Sequence, residues 1–140
     1  MAQITIVHYR ETGNTEAMAS MVAKGVEAAG ATAKVVSVDG FDAAELKNEA
    51  AFALGCPAMG DEVLEDTEFE PMFDGCKDAL KGKNIALFGS YGWGDGEWMR
   101  NWEDSCKEAG ANLVCESVIC QEEPDDEATE ACKALGAALV

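Results

Sequence analysis

The feature that most limits what this chain can fold into is an alternation. Five short apolar runs, at residues 3–8, 32–38, 51–55, 84–89 and 112–120, are each followed by a helical segment or by a loop with a helical piece. Parallel strands need a crossover between one and the next, and right-handed crossovers put helices on both faces of the sheet. The pattern predicts an α/β protein with a doubly wound five-stranded parallel sheet. The common order for five such strands is 2-1-3-4-5, with a switch point between the first and third. At 140 residues, with no repeat and no linker, residues 1–140 read as a single domain.

Between the strands, residues 16–29 read as an amphipathic helix ended by Gly30. Residues 39–48 read as a loop with a short helical piece anchored by Phe41 and Leu46, and 61–70 as an acidic surface segment. A helix over 69–80 takes Pro71 in its first turn and is closed by Lys81-Gly82-Lys83. Residues 97–109 place Trp98, Trp102 and Cys106 on one helical face, which reads as core packing, and Gly110 ends that helix. A loop at 121–124 leads to a last helix over 125–139.

Three irregular stretches follow strands one, three and four, and in this architecture such loops converge on one crevice. The first is Tyr9-Arg10-Glu11-Thr12-Gly13-Asn14-Thr15, read as the turn before the first helix. The first amides of a helix have no partners within it, and the helix dipole brings partial positive charge there, so a phosphate can be held by backbone donors with hydroxyls helping. The same residues also read as an ordinary helix cap. The second stretch is Cys56-Pro57-Ala58-Met59-Gly60-Asp61-Glu62 and the third Gly89-Ser90-Tyr91-Gly92-Trp93-Gly94-Asp95-Gly96. Trp93 offers a flat indole, Met59 a polarisable thioether, and the glycines allow close approach of backbone amides. A flat nucleotide with a phosphate tail would find all its contacts on these loops.

Thr12-Gly13-Asn14-Thr15-Glu16, the run 55–62 and the run 87–96 together resemble the short-chain flavodoxins of the clostridial type. Glu68-Phe69-Glu70-Pro71 and Glu123-Pro124-Asp125 extend the likeness over nearly the whole chain. The resemblance implies a flavodoxin-like three-layer sandwich and a low-potential one-electron carrier, not an enzyme, using non-covalently bound FMN and cycling between semiquinone and hydroquinone. It implies that Tyr9 to Thr15 hold the phosphate and that Trp93 and Met59 cover the two ring faces. Gly60 would turn its carbonyl toward flavin N5, beside Asp61, with Glu62 accepting from N3–H. Pro57, Ala58, Ser90, Tyr91, Gly92, Gly94, Gly96 and Gln121 complete the expected FMN contacts. Carboxylates around the anionic reduced ring oppose its formation, each 1.4 kcal/mol lowering a one-electron potential by roughly 60 mV. Two positions depart from the family pattern. Arg10 and Glu11 replace the usual hydroxyl residue and small residue before Thr-Gly-Asn-Thr, and Pro57 stands where some relatives have serine. Arg10 either makes a charge-assisted bond to the phosphate or turns to solvent and pairs with Glu11.

Composition narrows the partners. The formal charge of −17, from 27 acidic and 10 basic residues, argues against nucleic acid and anionic membranes, whose phosphates are met by Lys and Arg. It points either to a counterpart with a basic protein patch, steered from a distance, or only to solubility; the resemblance implies that the counterparts are redox proteins with basic docking surfaces. The six cysteines show no Cys-x-x-Cys spacing and are joined by one histidine, His8, so they read as buried thiols in a reducing, cytoplasmic setting with no metal site. His8, ending the first strand, reads as a packed or partly exposed residue and not as a ligand. No apolar run reaches membrane-spanning length. The resemblance implies a monomer.

Other proteins share the architecture. A phosphorelay receiver needs an acidic pair after strand one, an aspartate ending strand three and a lysine ending strand five; here those places hold Arg10-Glu11, Cys56-Pro57 and Gln121. A low-mass phosphatase needs a cysteine in the first loop, which this chain lacks. An FMN-dependent quinone or NADH reductase would need a second pocket and more length; a flavin-free interaction module is suggested only by the altered turn at Arg10-Glu11, and the colour of the purified protein decides it.

Overall fold

A computed structural model describes residues 3–9, 13–38, 45–46, 49–57, 69–91, 96–121 and 124–140. The chain runs β1 (Gln3–His8), α1 (Gly13–Ala28), β2 (Thr32–Ser37), β3 (Ala51–Gly55), α2 (Phe69–Cys76), a short 3-10 turn (Lys77–Ala79), β4 (Asn84–Tyr91), α3 (Glu97–Glu108), β5 (Asn112–Leu113), β6 (Val118–Gln121) and α4 (Asp126–Ala138). The strands form one parallel sheet in the order β2-β1-β3-β4-β5, with β6 also paired to β4. The expected doubly wound architecture is therefore present, with one difference at its last strand.

That difference is a break in the run 112–120. Ile85 pairs with Leu113 and Phe88 with Val118, so three steps along β4 are matched by five along its neighbour. Two extra residues bulge out between β5 and β6. The bulge is held at both ends: Val114 N–H donates to Ile85 O at 3.1 Å, and Ser117 Oγ–H donates to Glu103 Oε2 of α3 at 2.6 Å. A bulge of this kind re-aims the strand beyond it.

Helix ends follow local chemistry. α1 and α3 both stop at a glycine in the left-handed region, Gly30 (φ 97°) and Gly110 (φ 91°), with Ala31 N–H reaching Val26 O and Ala111 N–H reaching Cys106 O. Asp125 caps α4 by accepting from Ala128 N–H at 2.8 Å, and Asp126 and Glu127 lie in its first turn, where acidic charge is favoured. The helix expected over 69–80 is α-helical only to Cys76 and then tightens to 3-10.

β3 is buried along its whole length, as a central strand covered on both faces must be. One core, on the side of α2 and α3, gathers Phe52, Leu54, Phe69, Phe73, Trp98 and Trp102. The other, on the side of α1 and α4, gathers Ile6, Met18, Val22, Ala53, Phe88 and Cys132. Leu46 is fully buried in the first core, as expected of an anchor, while Phe41 and the acidic residues 61–68 lie outside the described residues. His8 is buried at the end of β1. Cys56, Cys106, Cys120 and Cys132 are buried cysteines outside any disulfide, and Cys115 is a half-buried one.

Candidate functional site

The carboxyl ends of β1, β3, β4 and β6 meet at one edge of the sheet. Backbone hydrogen bonds carry the ladder past each strand end: Tyr9 N–H donates to Gly55 O at 3.0 Å and Cys56 N–H to Phe88 O at 3.1 Å. These bonds fix where the loops after β1 and β3 begin. Tyr9, the first residue beyond β1, and Pro57, the second beyond β3, are both buried.

α1 begins at Gly13, three residues before the expected start, so Gly13, Asn14 and Thr15 are its first turn and not a turn ahead of it. The first-turn amides lack intrahelical acceptors, and they now belong to a helix 16 residues long. Thr15 Oγ1 lies 2.9 Å from Ser90 Oγ, both residues buried. This bond joins the first turn of α1 to the end of β4, so two of the three expected loops are locked together at their roots. Asn14 is half-buried beside it.

The third tie comes from a residue read only as core. Trp98 is buried in α3, and its Nε1–H donates to Cys56 O at 3.2 Å, across to the start of the loop after β3. A buried indole needs an acceptor for its N–H, a signal that could have pointed to this role. Gly89 sits where these elements cross: a Cβ there would overlap the Cys56 carbonyl oxygen and press on the Trp98 ring. Glycine is therefore required at this point of β4 by close approach, and the loop beyond it starts from a fixed place. Tyr91 lies half-buried with its ring centroid 5.5 Å from that of Trp98. Gly96, at φ 92°, ends the glycine-rich loop and opens α3; a Cβ on it would meet Ile119 Cδ1 at 2.9 Å. Gln121 ends β6, exposed, beside Tyr91 in the β4–β6 register.

Of the expected contacts, Tyr9, Gly13, Asn14, Thr15, Pro57, Ser90, Tyr91, Gly96 and Gln121 thus lie on elements that converge at one sheet edge. Arg10, Glu11, Thr12, Ala58, Met59, Gly60, Asp61, Glu62, Gly92, Trp93 and Gly94 lie outside the described residues. The residues that are described suit a phosphate at the α1 terminus: first-turn amides without intrahelical acceptors, a small polar shell, and a switch point between β1 and β3.

Fold and crevice together define a doubly wound α/β protein of the class that binds a nucleotide outside the strand ends. The family model described as flavodoxin matches residues 6–136. The chain is 47% identical over 131 residues to a flavodoxin of Clostridium beijerinckii, covering 94% of each chain, and 43% identical over 135 residues to one of Megasphaera elsdenii, covering 96% of each. The solution structure of two-electron reduced Megasphaera elsdenii flavodoxin superposes with a TM-score of 0.89 at 44% identity, covering 97% of both chains. The chain belongs to the flavodoxin family. Flavodoxins carry electrons on FMN at low potential and pass them to redox partners; they are electron-transfer proteins and not enzymes. No described helix is long and apolar enough to cross a membrane.

Proposed function

We propose that this chain, acting as one domain and one monomer in the cytoplasm, holds a single FMN at the β1–β3 switch point and trades one electron at a time with proteins that present basic docking surfaces. What carries the reading is the Thr15–Ser90 hydrogen bond, which joins a helix N-terminus suited to phosphate to the root of a loop suited to an aromatic ring. Thr12 to Thr15 surround the phosphate, with Arg10 supplying a charge where relatives use a hydroxyl. Trp93 and Met59 cover the ring faces. Gly60, Asp61 and Glu62 face its N5 and N3 edge, and Gly92, Gly94 and Gly96 bring amides to its carbonyl edge. Tyr9, Glu11, Pro57, Ala58, Ser90, Tyr91 and Gln121 frame the rest. FMN supplies the electron chemistry; the chain supplies orientation, exclusion of water and a negative field. The charge of −17 supports basic partners, and five cysteines outside any disulfide among the described residues suit a reducing compartment.

An anaerobic redox titration followed by absorbance tests this. Two separate one-electron steps at one FMN per chain are expected, and rapid bleaching by NADH alone, with no reductase added, would overturn it in favour of an enzyme. Affinity for FMN measured against salt in Arg10→Ala tests the charge: weaker binding with a shallower salt slope is expected, and an unchanged affinity and slope would remove Arg10 from the site.

A further inference from the structure

Three sulfur-bearing side chains gather on the α1–α4 side of the sheet, each from a different element. Cys120 of β6 donates its thiol proton to the thioether of Met18 in α1, with Sγ and Sδ 3.5 Å apart. Cys132 of α4 belongs to the same buried cluster as both. Ala128, Ala131 and Leu135, which surround Cys132 on α4, line one groove together with Cys120. Negative charge on Cys120 is felt at Cys132. The sequence conceals the grouping, because the two cysteines and the methionine stand on separate elements.

The groove, of about 590 Å³, leads from solvent to Cys120. Glu116, Asp125 and Glu127 also line it, and among the described residues no Lys or Arg does. A cleft lined by one sign of charge raises the local concentration of the opposite ion. An incoming cation therefore meets carboxylates first and sulfur at the end.

The ligands decide which cation. Among the described residues no three His, Cys, Asp or Glu side chains gather to hold a metal, so Cys115, though it lines the groove, does not join the other two. Two thiols and a thioether fall short of the four ligands that structural zinc takes, whereas thiolate and thioether together select soft ions such as copper(I). Two sulfurs 3.5 Å apart can both lie about 2.3 Å from one ion, the length of a metal–thiolate bond, at an angle of roughly 100°. Burial favours the protonated form of both thiols, so only a strongly thiophilic ion displaces their protons.

We infer that Cys120, Cys132 and Met18 form a three-sulfur site for copper(I), reached through the acidic groove. One ion enters, the two thiols release their protons to solvent, and the copper keeps its oxidation state. Met18 is one turn along α1 from Thr15, and Cys120 pairs with Ser90, so the ion ties three elements together beneath the Thr15–Ser90 bond.

The test titrates the full FMN-loaded chain, without oxygen, with copper(I) held by bicinchoninate, whose colour fades as the protein takes the metal. One ion per chain is expected, and excess zinc(II) should not displace it. Cys120→Val and Cys132→Ala should each weaken binding about a hundredfold, and Met18→Leu, which conserves volume, about tenfold. Cys115→Ser should leave affinity unchanged. X-ray absorption at the copper edge of the parent chain does not depend on how the variants fold, and a shell of sulfur alone is expected. Nitrogen or oxygen in that shell, metal left with the competitor, unaltered affinity in any of the three cluster variants, or binding lost in Cys115→Ser would each overturn the inference.

Discussion

The two faces of the sheet are filled by opposite means. On the α2–α3 side, large rings do the packing: Trp102 meets Phe69 edge-on at 5.4 Å and Phe73 at 5.9 Å, and all three are buried. On the α1–α4 side, the helices come together by omitting side chains. A Cβ on Gly25 would overlap Lys133 O, and a Cβ on Gly136 would overlap Val22 O, so each helix lays a glycine against the other's backbone. Ring packing fills volume and leaves α3 free to send Trp98 to the loop after β3. Backbone packing fixes distance and holds α1, with its first turn, in one place against α4. Each face thus steadies a different half of the crevice.

If the aromatic face depends on ring volume, its central ring should be the costliest to remove. Trp102→Ala is expected to destabilise the fold by about 3–5 kcal/mol, read as a lower urea midpoint at unchanged slope. A loss under 1 kcal/mol would show that the rings are loosely seated. The glycine face should respond to addition instead. Gly25→Ala gains about 1 kcal/mol of helix propensity, yet the added methyl has only backbone to displace. A net loss of about 1–3 kcal/mol is expected, and a stabilised variant would mean that α1 and α4 do not touch there.

The third effect, absent at neutral pH, concerns protonation on the glycine face. Burial, with Cys120 nearby as a lesser cause, pushes the Cys132 thiol up to about 12, and burial with Asp125 nearby pushes Cys120 up to about 11. The folded form keeps protons that the unfolded chain releases near pH 9. The stability this provides is complete below that pH and is lost as pH rises toward 11 and 12, at no more than about 1.4 kcal/mol per pH unit for one thiol. Cys132→Ala should flatten this alkaline decline relative to the parent chain. An equally steep decline in both proteins would place Cys132 outside the linkage.

Much of the fold is legible because burial on both faces writes itself as an apolar run. Residues 51–55 emerge as β3 with unchanged bounds, and Trp98, Trp102 and Cys106 are core residues as their spacing predicts. Two things escape sequence reasoning for stated physical reasons. The start of α1 reads late because Gly, Asn and Thr are poor helix formers; tertiary context, through Thr15 and Ser90, puts them in the first turn. The two-residue bulge escapes because alternation along one strand carries no information about register with its neighbour. The α1–α4 contact had a signal that went unused, since glycines inside two helices imply a close neighbour. Of the site, the residue types and their loops are legible, and the ties between loop roots are not, because hydrogen bonds such as Trp98 to Cys56 join residues 42 apart in sequence.

The two extra residues opposite β4 also decouple the sheet's base from its rim. Below the break the pairing runs at an offset of 28, from Ile85 to Leu113, and above it at 30, from Phe88 to Val118. Slack of this sort lets the span 114–117 change length without sliding either ladder, so the rim can be retailored while its foundation stays put.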